Sequence, residues 1–241
     1  MELHYSDRGN GAPLLLLHGG LGIGGDWRHV FPDDPPGFRL IVPDLRGHGR
    51  TRHDGEPFTI RACARDVLAL LDRLGISRAS AIGLSLGAKT LLHVATVQPD
   101  RLDAMVLVSA TPRFPKTMRD AAKQFTDAAF DALTDAEKTA LYQRHNHGEA
   151  QLRALYAAMR ALGESTDDMD FTAATLGTIS ARTLIVHGDR DPLYPIELAI
   201  ELFRGIPSSA LWVVPNGGHG PIFGAHAAAF AAAAIDHVSH V

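Results

Sequence analysis

The chain has 241 residues, 46% hydrophobic and 21% charged, with a formal net charge of -4 and one cysteine. That length suits one domain with a sizeable core, and the composition excludes disordered and collagen-like chains. No basic surplus points to nucleic acid or to an anionic membrane, and the lone Cys63 cannot close an internal disulfide. The first eight residues have neither a basic start nor an apolar core, so no secretory signal is expected there. No apolar stretch reaches the roughly 20 residues of a transmembrane helix. A cytoplasmic protein without membrane attachment is the expectation.

Taken in chain order, a first strand is expected at residues 3–5, before a loop at 9–11. Apolar runs at 14–17, 40–42, 80–82, 104–108, 183–186 and 211–214 read as buried strands, each brief and ended by Gly, Pro, His or Ser. Amphipathic segments lie between them. The clearest covers 59–74, where Ile60, Cys63, Ala64, Val67, Leu68, Leu71 and Leu74 share a helical face and Gly75 supplies a stop. Further helices are expected after Ser85, after Pro195 and over 225–238. This alternation predicts an α/β fold, a mainly parallel twisted sheet with helices on both faces and a site at the carboxyl ends of its strands. The interval 112–177 breaks the rhythm, with helical composition at 121–132, 136–144 and 149–162. It reads as a helical cap inserted between a core of 1–111 and 178–241, placed to cover the site with Phe, Tyr, Met and Leu side chains.

The strongest local signal is Gly83-Leu84-Ser85-Leu86-Gly87, between a strand and a helix. A serine at so sharp a turn has a strained backbone, and glycines two positions either side remove Cβ atoms that would clash. The turn raises the hydroxyl above the sheet and leaves the N–H of Leu86, at the helix start, free to donate to an oxyanion. Here the sequence resembles the α/β-hydrolase fold family, whose nucleophile elbow has this form. The resemblance spans nearly the whole chain. It implies a serine nucleophile, and an insertion placed after the sixth strand of the family layout. His18-Gly19-Gly20-Leu21-Gly22 is similar to the family's oxyanion loop, which implies the N–H of Gly20 as second donor. Asp44-Leu45-Arg46-Gly47-His48-Gly49-Arg50-Thr51 is similar to a family stretch read as structural, with Thr51 where serine is usual.

Two aspartates compete in His187-Gly188-Asp189-Arg190-Asp191-Pro192; the family pattern, closed by Pro195, implies Asp191 as the acid and Asp189 as a turn former. The base must be chosen among 13 histidines. His219 follows the last strand in a glycine-rich loop, Asn216-Gly217-Gly218-His219-Gly220-Pro221, and completes the family order Ser85, Asp191, His219. His18 and His48 read as loop hydrogen-bonders and His187 as a satisfied core residue. His145 and His147 have H-x-H spacing but no companion ligands, so they read as solvated or substrate-edge residues and no metal is expected. His226, His237 and His240 carry no site signal.

A serine at the elbow argues against epoxide opening and dehalogenation, for which the family uses aspartate. The resemblance therefore implies cofactor-free hydrolysis of a small to medium carboxylic ester or lactone through an acyl-enzyme. A thioester, an activated C–C bond or acyl transfer to an alcohol remain open on the same residues, as does haloperoxidase-type side chemistry. A hydrolase-fold receptor is the reading from another class.

Overall fold

The computed structural model describes residues 1–53 and 55–239; His240 lies outside them. Its centre is a seven-stranded sheet of order β1-β3-β2-β4-β5-β6-β7. Strands β2 (Ala12–Leu17), β3 (Phe38–Pro43), β4 (Ala79–Leu84), β5 (Leu102–Val108), β6 (Arg182–Gly188) and β7 (Ser209–Val214) run parallel and contain all six predicted apolar runs. Both faces of this sheet are covered, which is why its strands read as continuous apolar runs rather than alternations. In β2, Leu15 and Leu17 enter one core while Leu14 and Leu16 enter the other.

The first strand differs from expectation. Strand β1 spans Tyr5–Gly9, not 3–5, and pairs antiparallel with β3, Tyr5 opposite Pro43 and Gly9 opposite Arg39. Leu3, expected in the strand, is a buried core residue ahead of it. No apolar pattern marks β1, because backbone pairing and a bidentate Arg39–Asp7 ion pair, at 2.9 and 2.6 Å, fasten this half-exposed edge.

Helix α1 (Ile60–Arg73) starts where Thr59 accepts the N–H of Ala62 at 2.9 Å. It stops at Gly75, whose φ of 66° suits glycine, with the Ile76 N–H returning to the Leu71 carbonyl. Helix α2 (Leu86–Val97) packs beside it and follows β4 without a spacer other than Ser85. Cys63 lies on the buried face of α1, and burial pushes its thiol up, so it stays protonated.

Between β5 and β6 lie five helices: α3 (Lys116–Ala122), α4 (Asp127–Asp131), α5 (Asp135–Arg144), α6 (Gly148–Glu164) and α7 (Ala173–Leu176). The helical composition at 121–132 is divided between the end of α3 and all of α4, because the Thr126 hydroxyl accepts the Ala129 N–H and opens a new helix. An isolated antiparallel bridge, Arg113 to Asp170, joins the two stems of the insertion. Phe130, Leu152, Leu155 and Tyr156 form a small core of their own, whereas Phe114, Met159, Leu162, Met169 and Phe171 join the core of the sheet. Helices α3 and α6 meet closely: a Cβ on Gly163 would lie 2.4 Å from that of Ala122. Helix α8 (Ile196–Gly205) follows β6, and α9 (Ala227–Ser239) covers the second core through Phe230, Ala234 and Val238. Among the described residues no helix is long and apolar enough to cross a membrane.

The 44–51 stretch is a structural knot. Asp44 accepts the N–H groups of Gly24 and Arg50 at 2.8 and 2.9 Å, and the Thr51 hydroxyl donates to the Asp44 carbonyl. Arg46 is buried against Asp66 at 2.7 and 3.1 Å, and the N-terminal ammonium reaches the same carboxylate at 3.2 Å. Removing one partner of a buried pair strands the other without solvent. Asp66→Ala is expected to lower the unfolding free energy by about 3–5 kcal/mol in urea titration; a loss within experimental error would show that this network carries no stability.

Candidate active site

Strand β4 ends at Leu84 and α2 begins at Leu86, so Ser85 alone must reverse the chain, with φ 49° and ψ -100°. For a non-glycine residue this costs about 1–3 kcal/mol, which the surroundings must outweigh. They do so from both sides: the Ser85 N–H donates to Val108 O at 2.8 Å, and Ser85 O accepts the Lys89 N–H at 3.0 Å. The two flanking glycines are sterically required. A Cβ at Gly83 would stand 2.6 Å from the Ala88 nitrogen, and one at Gly87 2.3 Å from the Leu17 carbonyl oxygen. The Gly87 N–H donates to His18 O at 3.0 Å and so ties the loop after β2 to the first turn of α2.

The structure brings Ser85, His219 and Asp191 together. His219 Nε2 lies 2.9 Å from Ser85 Oγ, and its Nδ1 lies 2.8 Å from Asp191 Oδ2. The carboxylate can only accept, so the proton belongs on Nδ1 and Nε2 is left as an acceptor for the serine proton. Asp191 Oδ1 is occupied by the N–H groups of Leu193 and Tyr194 at 2.8 and 3.1 Å. Burial alone would raise the Asp191 carboxyl, but the hydrogen bond and charge of His219 and the two amides prevail and hold it below the usual range. Asp189 is exposed at the turn.

The loop carrying His219 is positioned by two contacts. Gly217 O accepts the Arg190 N–H at 2.9 Å, while the Gly220 N–H donates to Ser109 Oγ at 3.0 Å. Ser109 is buried with φ 48°, a second strained serine at a strand end. Sequence reasoning missed it; its signal was a serine directly after the apolar run of β5.

Gly20 and Leu86 border the same cavity as Ser85. As the first residue of α2, Leu86 has no acceptor for its N–H within the helix. The loop around Gly20 rests on three buried histidines. His18 donates from Nδ1 to Gly19 O at 2.7 Å and accepts the Leu45 N–H on Nε2 at 2.9 Å. His48 donates to Arg46 O at 2.9 Å and accepts the Leu21 N–H at 3.1 Å. His145 accepts the Gly49 N–H at 2.9 Å and donates to Leu21 O at 3.3 Å. One donor and one acceptor per ring is the pattern of a neutral imidazole. Burial pushes His18 down to about 4 and moves His48 and His145 the same way.

This corrects the reading of His145 as solvated or at the substrate edge: it is buried and fastens the insertion to the 44–51 stretch. His147 is half-buried and pairs with Arg50 O at 2.9 Å, so it too belongs to that junction. His187 reaches Tyr194 O at 2.8 Å through Nε2, yet its buried Nδ1 has no partner, so it is only half satisfied. Among the described residues no group of three or more His, Cys, Asp or Glu could hold a metal ion.

The cavity over Ser85 has a volume of about 240 Å³ and a mostly apolar wall, including Met118 and Phe125 of the insertion, Met159 and Leu162 of α6, and Phe223. A buried cation, Lys89 on α2, also faces it; helical patterning alone did not single it out.

A sheet of this order, a strained serine between strand and helix, and a histidine–aspartate pair from the loops after β7 and β6 define a hydrolase of the α/β class. A family model for the alpha/beta hydrolase fold matches residues 12–158. The chain belongs to the α/β-hydrolase fold family. It is 28% identical to 2-hydroxy-6-oxo-6-phenylhexa-2,4-dienoate hydrolase of Comamonas testosteroni, over 90% of this chain and 84% of that one. It is also 28% identical to the pimeloyl-[acyl-carrier protein] methyl ester esterase of Nitrosomonas europaea, over 91% and 93%. An α/β-hydrolase enzyme from a Medee basin deep-sea metagenome superposes with a TM-score of 0.82 at 20% identity, covering 99% of this chain and 94% of that one, which speaks for the fold alone.

The neutral histidines make stability depend on pH. Burial holds His18 down to about 4 in the folded chain against an ordinary histidine value of about 6.5, so between those limits the unfolded chain binds more protons. Stability is complete above pH 6.5 and is lost as pH falls towards 4, by about 3 kcal/mol for His18. Urea midpoints measured across this window should fall with pH, and less steeply in His18→Gln; equal slopes would remove His18 from the effect.

Proposed function

We propose that the protein is a serine hydrolase that cleaves a small to medium carboxylic ester or lactone. The observation carrying this reading is the chain of hydrogen bonds from Asp191 through His219 to Ser85, ending at an apolar cavity. In this mechanism Ser85 Oγ attacks the carbonyl carbon as His219 Nε2 takes its proton. The negative oxygen of the tetrahedral intermediate is held by the N–H groups of Gly20 and Leu86. His219 then gives the proton to the leaving alcohol, leaving an acyl group on Ser85. Water loses a proton to His219, attacks the ester carbonyl, and the acid departs as Ser85 regains its proton. Asp191 keeps the imidazole in the productive tautomer and stabilises it while charged. We take 112–177 as a helical cap on a core of 1–111 and 178–241, with α3 and α6 limiting the acyl or alcohol group that fits.

The cavity lies below the roughly 300–1,000 Å³ of drug-sized pockets, which favours compact substrates. A second reading is hydrolysis of an activated C–C bond, favoured by the 28% identity to a dienoate hydrolase over most of both chains.

A series of p-nitrophenyl esters of graded acyl length, run beside lactones, a thioester and a 2-hydroxy-6-oxohexa-2,4-dienoate, tests both. Ester or lactone turnover with an optimum at short to medium chains is expected. Turnover confined to the dienoate would replace the ester reading by the C–C one. Ser85→Ala should lower kcat by on the order of 10⁴–10⁶-fold while the circular dichroism spectrum and thermal midpoint stay close to wild type. Near-wild-type hydrolysis by that variant would remove Ser85 from the chemistry.

A further inference from the structure

Lys89, in the first turn of α2, follows Ser85 by four residues, and both line the same cavity. The residue is 3% exposed. The ammonium donates to the Tyr194 hydroxyl at 2.6 Å and sits 5.1 Å over the Tyr194 ring and 5.2 Å over that of Phe114. Among the described residues no carboxylate lies within salt-bridge distance of it. It is the only Lys or Arg among the described residues lining the cavity, and no Asp or Glu lines it.

A buried cation is stable when it is paired. Two aromatic faces and one hydroxyl offset part of its lost hydration, but an ammonium has three donors and needs an anion for full compensation. The described residues supply none, and Lys89 and Tyr194 both line the cavity over Ser85. We infer that Lys89 is a specificity residue whose Nζ pairs with a carboxylate on the substrate, a few bonds from the carbonyl attacked by Ser85. This inference rests on the hydrolase reading above and narrows it to acidic substrates. The distance between Ser85 and Lys89 along the cavity wall sets the length of the spacer, and the rings of Phe114 and Tyr194 hold the ammonium in place. Tyr194 also places an amide on Asp191 and packs its ring edge to face at 5.2 Å from His219, so the carboxylate site and the catalytic pair share one wall.

The test compares mono-p-nitrophenyl glutarate with its ω-carboxamide, which has nearly the same shape without the charge. Wild type should favour the acid in kcat/KM by roughly 10–100-fold, the range for a hydrogen bond to a charged group. In Lys89→Met that ratio should fall to about 1, largely through KM, and Lys89→Arg should keep much of it. A wild-type ratio near 1, or an unchanged ratio in Lys89→Met, would overturn the inference; a purely structural lysine would slow both esters alike. Glutarate binding to Ser85→Ala, followed by thermal shift against glutaramide as control, reads the site without turnover. A shift with glutarate alone supports the carboxylate site even if wild type cleaves neither ester, an outcome that would instead overturn the hydrolase reading. No shift overturns the carboxylate site. If Lys89→Met does not fold, the wild-type ratio and the Ser85→Ala binding decide.

Discussion

The reversal of the chain at Ser85 is the constraint on which the rest of the structure depends. A left-handed backbone at a residue with a side chain persists only where neighbours leave it no alternative. Here α2 presses against β2 and β4 so closely that Gly83 and Gly87 have no room for a Cβ. That contact lifts the hydroxyl to the carboxyl end of the sheet, frees the Leu86 amide, and brings His18 within reach of Gly87. The loops after β5, β6 and β7 then converge on the same end, as a parallel arrangement dictates.

Around this turn, polar groups are satisfied by exchange rather than by solvent. Three neutral rings, His18, His48 and His145, each take one backbone proton and give one back, and together they join the Gly20 loop, the 44–51 stretch and the insertion. A carboxylate or an ammonium could not play both parts. Asp191 is held differently, as an acceptor filled on both oxygens, and this lets a buried carboxylate stay ionised beside an imidazole. The contrast between exchanging rings and a filled acceptor separates the groups that brace the site from the group that polarises it.

Much of this was legible in the sequence because parallel strands covered on both faces leave unbroken apolar runs, and because a sharp strand-to-helix turn demands small residues at fixed offsets. The six parallel strands, α1 with its Thr59 start and Gly75 stop, and the elbow at 83–87 all rest on such local rules. Strand β1 did not, since an edge strand held by backbone pairing and an Arg39–Asp7 pair needs no apolar pattern. The break between α3 and α4 hinged on one hydroxyl at Thr126. The parts played by Ser109, His145 and Lys89 escaped the sequence for a common reason: each takes its meaning from partners far away in the chain, Gly220, Gly49 and Tyr194, which no local pattern announces.

The close approach of Gly163 to Ala122 has a consequence for how such a protein can change. Helices α3 and α6 both contribute to the wall over Ser85, and their separation is set where Gly163, outside the lining, meets Ala122, which is part of it. A bulkier side chain at 163 must move one helix against the other and so reshape the space above Ser85, while the sheet, the elbow and the loops beneath it stay in register. The dimensions of the cavity and the geometry of the Ser85, His219 and Asp191 chain beneath it are thereby separate traits, one written in the gap between two helices and the other in the ends of the strands.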